Sequence, residues 1–552
     1  MVWRFFRPST YIPSYCILIQ PNFKHFFLIL IKFCLLVLSF KNIVRIQLLA
    51  LLFCFYSCSD GTRKENQISN KKLNVLLIVA DDLNCDIGAY GNMLVKTPNI
   101  DRLASRGVVF ENAHCQYPWC GPSRASLMTG LYTDQTKITA NNMNLRNSVP
   151  DVISLGQRFR QQGYQSVRIG KIFHYDNPSA IGTSGNDDIY SWDQTVNPYG
   201  RDKLEEYKIN TLKPRKYGGT LSWLAADGED NEQTDGIAAS EAIKKLDYFV
   251  GTDIPFFLAV GFFRPHTPFV APKKYFHHYE REKIEIPKIS DDYLSTLPVP
   301  AAKSISSRKI QLNLQKELAQ EIKEAYYATI SFVDAQVGRI LDHLENNGLD
   351  KNTIIVFTSD HGYHLGEHGH WQKQTLFEKA TRVPLIISVP RLENQGASSV
   401  SPVELIDLYP TLMDLTNIKT PQHVVGKSLK PIIKNVNSSV RQSALTRLRN
   451  GYSIKTKRYR LTKWGSNGEL GYELYDHKND KKELINLFGN EDYSVVEDSL
   501  KLLIEQRISE ASIKPEGLGR QFENAQSMHK AKNITFGDIH DTNGEILQFK
   551  AK

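Results

Sequence analysis

Four short runs of residues restrict the fold of this chain more than any other feature of its sequence. The first, LNVLLIVA at 73–80, is continuously apolar and has the length of a strand. Such a run is typical of a strand that is buried on both faces, as in a parallel sheet. Three further strand candidates are YQSVRIG at 164–170, PFFLAVG at 255–261 and TIIVFTS at 353–359.

Segments with helical patterns lie between these strands. TPNIDRLASRG at 97–107 has a threonine cap, a proline at the first helical position and a terminating glycine. Residues 318–348 place apolar residues at helical spacing over a long stretch. This alternation predicts an α/β fold with a large central, mostly parallel sheet flanked by helices. Residues 185–235 hold few periodic segments, so we expect a long surface excursion there.

The pattern changes after about residue 440. Residues 452–464 alternate between apolar and polar side chains, 472–476 follow a glycine-rich turn, and 495–508 have the pattern of a final helix. These features predict a smaller C-terminal α+β unit that contains an antiparallel sheet. We therefore divide residues 73–552 into a large domain at 73–440 and a C-terminal subdomain at 441–552.

The N-terminal residues 1–58 have a different composition from the rest of the chain. They combine long apolar runs with six Lys or Arg and no Asp or Glu, which is typical of an export signal. The ending YSCSD resembles a loose bacterial lipoprotein processing site, with Cys58 as the lipidated residue. We expect an exported protein, periplasmic or at the cell surface, with a polar tether at 59–72. Residues 1–40 are open to two interpretations, a spurious upstream extension or a membrane segment.

The N-terminal segment also distorts the charge and the cysteine count. Without its six basic residues, 62 Lys and Arg remain against 59 Asp and Glu, so the formal net charge falls from +9 to +3. Nucleic acid is therefore not an expected partner, and a membrane is expected only through a lipid anchor. Outside this segment only Cys85, Cys115 and Cys120 remain, which is no disulfide framework. We expect Cys85 and Cys115 to be buried small residues.

Polar residues come directly after each of the four predicted strands. In an open α/β sheet, ligands bind at the carboxyl ends of the strands, so these side chains are expected along one edge of the sheet. The residues placed in this way are Asp81, Asp82, Lys171, His174, Arg264, His266, Asp360 and His361.

Three of these residues are carboxylates, which predicts a bound cation. Like charges raise one another's pKa unless a cation compensates them. Carboxylate oxygens favour a hard divalent ion, Ca²⁺ or Mg²⁺, over zinc. Taken alone, Asp81 and Asp82 would suit a helix cap or a turn. Asp360, at the end of another strand, makes the metal site the favoured interpretation.

The segment YPWCGPSRASLMTG at 117–130 predicts a helix that begins near Cys120. Pro122 suits the first helical turn, and Gly130 suits the end of the helix. Backbone N–H groups and the helix dipole favour an anion beside Cys120. Arg124 adds a guanidinium group that suits a tetrahedral oxyanion. A metal, an anion-binding helix end, lysines and histidines together describe a site for hydrolysis of a sulfate or phosphate ester.

The residues CGPSR at 120–124, followed by ASLMTG, resemble the C-x-P-S-R signature of the sulfatase family. In that family the cysteine is oxidised to formylglycine (3-oxoalanine), whose hydrated aldehyde is the nucleophile. The resemblance covers roughly 73–480 and makes 73–440 the catalytic domain. Within the family, 260–272 and 359–386 resemble iduronate-2-sulfatases most. His361 stands where many other sulfatases carry asparagine.

The resemblance implies a Ca²⁺ site and a set of residues around the sulfate. The implied Ca²⁺ ligands are Asp81, Asp82, Asp360, His361 and the modified Cys120. The implied catalytic residues around the sulfate are Arg124, Lys171, His174, His266 and Lys373. In this scheme His266 or Lys373 protonates the departing sugar oxygen, and His174 takes a proton from the nucleophile. Arg264 and Lys373 are candidates to bind a uronate carboxylate.

The resemblance implies a sulfuric ester hydrolase that removes the 2-sulfate of iduronate or a related uronic acid. The implied partners are a sulfated oligosaccharide, of glycosaminoglycan or algal type, and a formylglycine-generating or sulfatase-maturing enzyme. Two alternatives stay open. One is a phosphodiesterase or phosphonate hydrolase of the alkaline phosphatase superfamily, and the other is a non-catalytic surface protein that binds sulfated glycans.

Overall fold

The computed structural model describes residues 71–523 and 525, together with the backbone of 539–540 and 546–547. The predicted export signal, the lipidation site at Cys58 and most of the tether lie outside the described residues. Within the described part of the chain, no helix combines the length and the apolar character needed to cross a membrane.

The secondary structure alternates between strands and helices through most of the chain. The strands are β1 Asn74–Ala80, β2 Val108–Phe110, β3 Ala113–His114, β4 Gln165–Gly170, β5 Gln194–Val196, β6 Asn210–Thr211, β7 Ser222–Ala226, β8 Phe256–Phe262, β9 Phe269–Pro272, β10 Thr353–Ser359, β11 His364–Leu365, β12 Trp371–Gln372, β13 Arg382–Val383, β14 Leu385–Ser388, β15 Ser398–Ser399, β16 Val403–Glu404, β17 Ala444–Leu448, β18 Gly451–Lys455, β19 Tyr459–Trp464, β20 Tyr472–Asp476, β21 Ile539–His540 and β22 Ile546–Leu547. The helices are α1 Pro98–Ala104, α2 Cys120–Thr129, α3 Thr133–Thr136, α4 Leu145–Ser148, α5 Leu155–Gln161, α6 Arg201–Leu204, α7 Thr234–Val250, α8 Lys273–Phe276, α9 Val299–Ser306, α10 Lys316–Asn346, α11 Glu378–Thr381, α12 Leu408–Leu415, α13 Lys430–Lys434 and α14 Ser494–Ser512.

The main sheet has eight strands in the order β15-β2-β14-β10-β1-β8-β4-β5. The four strands predicted from the sequence lie together as β10-β1-β8-β4, and all three of their pairings are parallel. Only β14 runs antiparallel to its neighbours, β10 and β2. The prediction of an α/β fold with a mostly parallel sheet is confirmed. In the register of this sheet Ala80 pairs with both Ser359 and Phe262, so the carboxyl ends of these strands are level.

Both faces of the sheet are covered, which explains the continuous apolar sequence of β1. Leu76 and Ile78 contact a core built with α7 and α10. Leu77 and Val79 contact a second core built with α2, α5 and α12. Complete burial of each such side chain stabilises the fold by about 1.5–3 kcal/mol. The sheet is therefore a rigid support for the residues at its carboxyl edge.

The C-terminal unit is an antiparallel sheet with one helix against it. Its strands follow the order β17-β18-β19-β20, and every pairing is antiparallel. Leu500 and Ile504 of α14 share a core with Leu461 and Leu474 of the sheet. The predicted α+β character of this region is confirmed, while the division at 440/441 stays a prediction.

The expectation of a surface excursion at 185–235 is wrong in part. Within this stretch β5 extends the main sheet beside β4, and β7 pairs in parallel with β9. Trp223 and Asp202 are buried. Strands of two to five residues are too short to show a recognisable period in a sequence, which is why the pattern was not visible there.

Candidate active site

The carboxyl ends of the central strands bring the predicted metal ligands together. Ligand atoms of Asp82, Cys120, Asp360 and His361 lie within 4.8 Å of one another. A second, overlapping group with the same spacing joins Asp82 and Cys120 to Asp81 and His266. Every one of these side chains is buried. The three carboxylates and two imidazoles of these overlapping groups have the chemistry of a divalent-cation site.

The backbone at the end of β1 is bent so that both aspartates face the cluster. Asp82 has φ 64, in the left-handed region that aspartate tolerates better than most residues. Its carbonyl accepts a hydrogen bond of 2.8 Å from the hydroxyl of Tyr326, and that hydroxyl accepts one of 3.0 Å from the backbone of Asn84. Tyr326 belongs to α10, where the sequence shows only a tyrosine in an apolar face. A buried tyrosine hydroxyl normally finds a polar partner, and here the partner is the metal-ligand turn.

Arg124 contacts two of the carboxylates, and its expected contact with sulfate stays a prediction. Its Nε donates to Asp360 Oδ2 over 2.8 Å, and its Nη2 donates to Asp81 Oδ1 over 2.9 Å. Its Nη1 donates to the carbonyls of Lys171 and Ile172 over 2.7 and 2.9 Å. Burial opposes the charged guanidinium, but Asp360 and Asp81 raise the pKa of Arg124 above its ordinary value. The planar guanidinium therefore positions two metal ligands and the loop after β4.

Two lysines contact different carboxylates of the cluster. Lys171 Nζ donates to Asp81 Oδ2 over 2.5 Å. Lys373 Nζ donates to both oxygens of Asp82 over 2.6 Å and lies 3.4 Å from Cys120 Sγ. Burial alone would raise the pKa of Asp81, but Lys171 and Arg124 hold it well below its usual range. Burial raises the pKa of Asp82 although Lys373 opposes the shift.

Cys120 is the first residue of α2 and lies at the centre of the cluster. Its Sγ is 3.3 Å from His361 Nε2 and 3.7 Å from Asp82 Oδ1. The side chain is fully buried, and burial raises the pKa of the thiol well above its ordinary value. Ser123, in the same segment, donates its hydroxyl to the Asp360 carbonyl over 2.5 Å. The segment at 120–124 is thus fastened to the end of β10 by two side chains.

The backbone fixes the orientation of two histidines. His361 Nδ1 donates to the Gly362 carbonyl over 2.9 Å, and His266 Nδ1 donates to the Thr267 carbonyl over 2.6 Å. A carbonyl can only accept, so Nδ1 carries the proton and the Nε2 lone pair faces the cluster. His361 Nε2 lies 3.3 Å from Asp82 Oδ1, and His266 Nε2 lies 3.7 Å from Asp82 Oδ2. His361 is oriented as a metal ligand, and His266 lies beside the carboxylates.

His174 is also buried near the cluster, on the loop after β4. Its Nε2 is 3.3 Å from Asp176 Oδ1, and its Nδ1 is buried without a hydrogen-bond partner in the described residues. Burial lowers the pKa of His174 to about 4, although Asp176 raises it. The imidazole is therefore neutral at ordinary pH and can accept a proton.

Arg264 pairs with an aspartate outside the cluster, and its expected contact with substrate stays a prediction. Its guanidinium is 2% exposed and forms an ion pair of 2.6 Å with Asp202. Its Nε donates to the Val270 carbonyl over 3.2 Å. The sequence pattern at 185–235 gave no sign of this buried aspartate. Arg264 therefore neutralises an internal charge in the structure and joins the loop after β8 to the segment that contains α6.

Three further histidines follow β10, and two further cysteines lie in the described part of the chain. His364 bonds to Thr375, and His368 stacks on Phe377, as expected for loop packing. His370 lies between two backbone carbonyls, with Nε2 3.0 Å from that of Lys373 and Nδ1 3.0 Å from that of Ile305, and so connects the two loops. Among the residues that the structure describes, the other thiols are Cys115, which is buried as expected, and Cys85, which is only partly buried and lines a cavity of about 520 Å³. The expectation for Cys85 is therefore wrong.

Comparison with known proteins identifies relatives that together match residues 73–510. The family profile described as Sulfatase matches residues 73–418, and one described as N-sulphoglucosamine sulphohydrolase, C-terminal, matches residues 366–510. A sulfatase of Formosa agariphila is 35% identical over 471 residues, which cover 83% of this chain and 91% of that protein. Iduronate 2-sulfatase of Homo sapiens is 33% identical over 402 residues, which cover 65% of this chain and 72% of that protein.

The fold is also found among solved structures. The phosphonate monoester hydrolase of Silicibacter pomeroyi superposes with a TM-score of 0.67 at 22% sequence identity. The match covers 80% of this chain and 96% of that chain. At this identity the likeness concerns the fold alone, and it does not distinguish a sulfate ester from a phosphonate ester as substrate.

Proposed function

The chain belongs to the sulfatase family, and on that premise we propose that it removes the 2-sulfate from a uronic acid in sulfated polysaccharide fragments. The observation that carries the reaction is the cluster of Cys120, three carboxylates and two lysines at one edge of the sheet. The 33% identity to human iduronate 2-sulfatase supports the choice of a uronate 2-sulfate. Glycosaminoglycan and algal fragments both offer this chemistry.

Two groups complete the proposed mechanism. Formylglycine at Cys120 would supply a hydrated aldehyde, with one hydroxyl for attack on sulfur and a second for expelling sulfate. Ca²⁺, held by Asp81, Asp82, Asp360, His361 and the modified Cys120, would neutralise the sulfate oxygens. The oxygen-rich donor set fits such an ion. Lys171 and Lys373, which contact the carboxylates, are close enough to bind sulfate oxygens as well.

Two residues are candidates for protonating the departing sugar oxygen. The Thr267 carbonyl fixes the His266 tautomer with its proton on Nδ1, so Nε2 carries none in the neutral ring. Lys373 presents N–H groups 3.4 Å from Cys120 Sγ. The geometry therefore favours Lys373 as the proton donor and His266 as a residue that orients the sulfate. His174, neutral and with a free Nδ1, serves as the base.

The proposed modification of Cys120 has to precede folding. The side chain has no solvent exposure, and residues 120–130 are all buried. A formylglycine-generating or sulfatase-maturing enzyme could reach this segment only in an unfolded chain. Export through the N-terminal signal, with or without a lipid on Cys58, is part of the same proposal and rests on the composition of residues 1–58.

Sulfate release from defined disaccharides tests the proposal. The protein is produced together with a maturing enzyme, and peptide mass analysis across residue 120 establishes the extent of conversion. Disaccharides sulfated at the 2-, 4- or 6-position are compared, and release from the 2-sulfated uronate is expected to be fastest. Cys120→Ala is the control and is expected to release none. Full conversion with preferred cleavage of a 4- or 6-sulfate would contradict the substrate assignment.

An aryl phosphodiester and an aryl sulfate separate the remaining alternatives. Faster hydrolysis of the phosphodiester would make the chain a phosphodiesterase or phosphonate hydrolase. Glycan binding that persists in Cys120→Ala, combined with no hydrolysis by the converted protein, would indicate a binding protein. Sulfate release by the converted protein excludes that binding-only function.

A further inference from the structure

A cavity of about 360 Å³ opens beside the segment that contains Cys120. We propose that this cavity binds the sugar residue next to the one that loses its sulfate, through stacking on Trp119 and an ion pair between Arg449 and a sulfate or carboxylate. The proposal rests on the function proposed above and adds a second binding position to it. The residues that line the cavity are Tyr117, Trp119, Thr139, Gln374, Arg447 and Arg449.

The cavity adjoins the cluster through two neighbouring chain segments. Trp119 directly precedes Cys120, and Gln374 directly follows Lys373. The backbone N–H of Gln374 donates to the Pro118 carbonyl over 3.2 Å, which ties the two segments together. Consecutive Cα atoms are about 3.8 Å apart, so the cavity begins one residue away from both groups. This spacing places the cavity within reach of a sugar joined to the reacting residue.

Trp119 is exposed where every neighbouring residue along the chain is buried. From Asn112 to Thr133 each residue is buried except Trp119, which is partly exposed. The indole contacts the hydrophobic cluster around Tyr117 without being enclosed by it. An aromatic ring with an accessible face is suited to the apolar C–H face of a sugar ring. This tryptophan is therefore available to a ligand and is held rigidly by α2.

Arg449 supplies a positive charge that the fold does not use. Within residues 71–523 its guanidinium has no hydrogen bond or ion pair, while Arg447 beside it pairs with Asp134 over 2.6 Å. The backbone N–H of Arg449 donates to the Tyr117 hydroxyl over 3.1 Å, which fixes the base of the side chain at the cavity. No acidic residue lines the cavity. An anionic ligand is therefore favoured there over a cation.

The backbone conformation of Arg449 is unfavourable for an arginine, so the turn itself does not explain the choice of this residue. It occupies the first position of the two-residue turn between β17 and β18, with φ 53. Turns of this kind favour glycine or asparagine, because most side chains are strained at positive φ. Gln374, across the cavity, has φ 65 as well. Such strained backbone conformations are enriched at ligand sites, so both residues are consistent with a binding cavity.

Relative rates on matched substrates test the second binding position. The probes are disaccharides whose second residue carries a sulfate, a carboxylate or neither, together with a simple aryl sulfate. In Arg449→Gln and Arg449→Gly, the ratio of kcat/KM for the anionic disaccharides to that for the aryl sulfate is expected to fall about tenfold, mainly through KM. The disaccharide whose kcat/KM falls more shows whether Arg449 binds a sulfate or a carboxylate. The ratio for the neutral disaccharide is expected to stay near that of the unchanged protein.

Arg391 offers a matched control, since it is also an exposed arginine at positive φ, with φ 61, and lies outside the cavity. In Arg391→Gln and Arg391→Gly, every ratio of kcat/KM should stay at the value of the unchanged protein. An unchanged ratio in both Arg449 variants, or an equal fall in the Arg391 variants, would overturn the proposal. Trp119→Leu, with conversion of Cys120 verified by mass, should lower kcat/KM for all three disaccharides relative to that for the aryl sulfate.

Binding separates a failure of this proposal from a failure of the proposed function. If the converted protein releases no sulfate from any probe, the proposed function fails. Calorimetric titration of the same anionic disaccharides into the unchanged protein and into Arg449→Gln then tests the cavity alone. Weaker binding by Arg449→Gln supports the cavity as an anionic-sugar site, and equal binding rules it out.

Discussion

At the scale of single residues, the cluster depends on an arginine whose contacts differ from those that its sequence position suggests. Arg124 lies four residues after Cys120, yet it contacts Asp81 and Asp360 instead of an open binding surface. Four of its N–H groups have partners, and the side chain is 1% exposed. Its contribution is to keep two carboxylates in place for a cation.

Replacing Arg124 by lysine keeps the charge and removes the planar fork. Arg124→Lys is expected to lower kcat/KM at least a hundredfold, because one ammonium group cannot hold Asp81 and Asp360 together. The free energy of unfolding should fall by about 3 kcal/mol, since a buried carboxylate loses its partner. Steady-state kinetics, Ca²⁺ titration and chemical denaturation measure these effects, with conversion of Cys120 verified by mass. Arg391→Lys is the control, and Ca²⁺ affinity unchanged by Arg124→Lys would contradict the positioning role.

At the scale of elements, the ends of β4 and β8 are closely fitted. A Cβ on Gly261 would lie 1.9 Å from the Lys171 carbonyl oxygen, and one on Gly170, which has φ +70, would lie 2.1 Å from the Gly261 carbonyl oxygen. Only glycine allows the two backbones to approach in this way. The approach sets where Lys171 leaves the sheet.

Gly261→Ala should therefore displace Lys171 and reduce activity. We expect kcat/KM to fall at least tenfold and the free energy of unfolding to fall by about 2 kcal/mol, because backbone atoms cannot rotate away as a side chain could. Gly251→Ala is the matched control, since its nearest neighbour atom would be 4.0 Å away. Comparable losses in both variants would show that the effect is not specific to the strand ends. Steady-state kinetics and thermal unfolding of Gly261→Ala and Gly251→Ala measure these effects.

The C-terminal sheet contains a buried acid whose titration affects stability. Burial raises the pKa of Glu473 to about 7, although the hydrogen bonds from Trp464 and Tyr475 lower it. The folded protein thus binds this proton more tightly than the unfolded chain, for which the value is near 4.5. Stability from this group is complete below about pH 4.5 and is lost as the pH rises to about 7.

Glu473→Gln removes this titration. The variant and the unchanged protein should have similar stability at pH 5, because a protonated carboxyl and an amide have similar shape and hydrogen-bonding capacity. At pH 8 the variant should be more stable by up to about 3 kcal/mol. Thermal unfolding across this pH range is the measurement. A difference in Tm that does not change with pH would show that the pKa of Glu473 is the same in the folded and the unfolded chain.

At the scale of the whole molecule, a cation would join parts of the chain that are far apart in sequence. The group within 4.8 Å combines residues at the ends of β1 and β10 with the first residue of α2. Arg124 and Lys373 already connect these segments, with pairs separated by 236 and 291 residues. A bound ion would add a further connection that exists only in the folded protein.

Removal of the metal should therefore lower both activity and stability. Chelation is expected to abolish sulfate release and to lower Tm, and added Ca²⁺ should restore both. The linkage amounts to about 2.7 kcal/mol when the free ion is a hundredfold above its Kd. Mg²⁺ and Zn²⁺ in parallel titrations show which ion is preferred. Asp360→Asn should reduce the shift in Tm, and the same Tm with and without chelator would exclude a bound cation as a structural element.

The sequence by itself determined the central strands, the polar residues at their carboxyl ends and the segment at 120–124. These features are local, because burial on both faces dictates a continuous apolar run and the polar residues after parallel strands meet at one edge of the sheet. The tertiary structure alone decided the partners of Arg124, Arg264 and Lys373, and it joined Trp119 to Arg449 in one cavity. Each of these ion pairs joins segments that are 62 to 291 residues apart, and no local pattern encodes which charges pair. The sequence therefore shows which chemical groups the site contains, while only the fold shows how these groups are positioned.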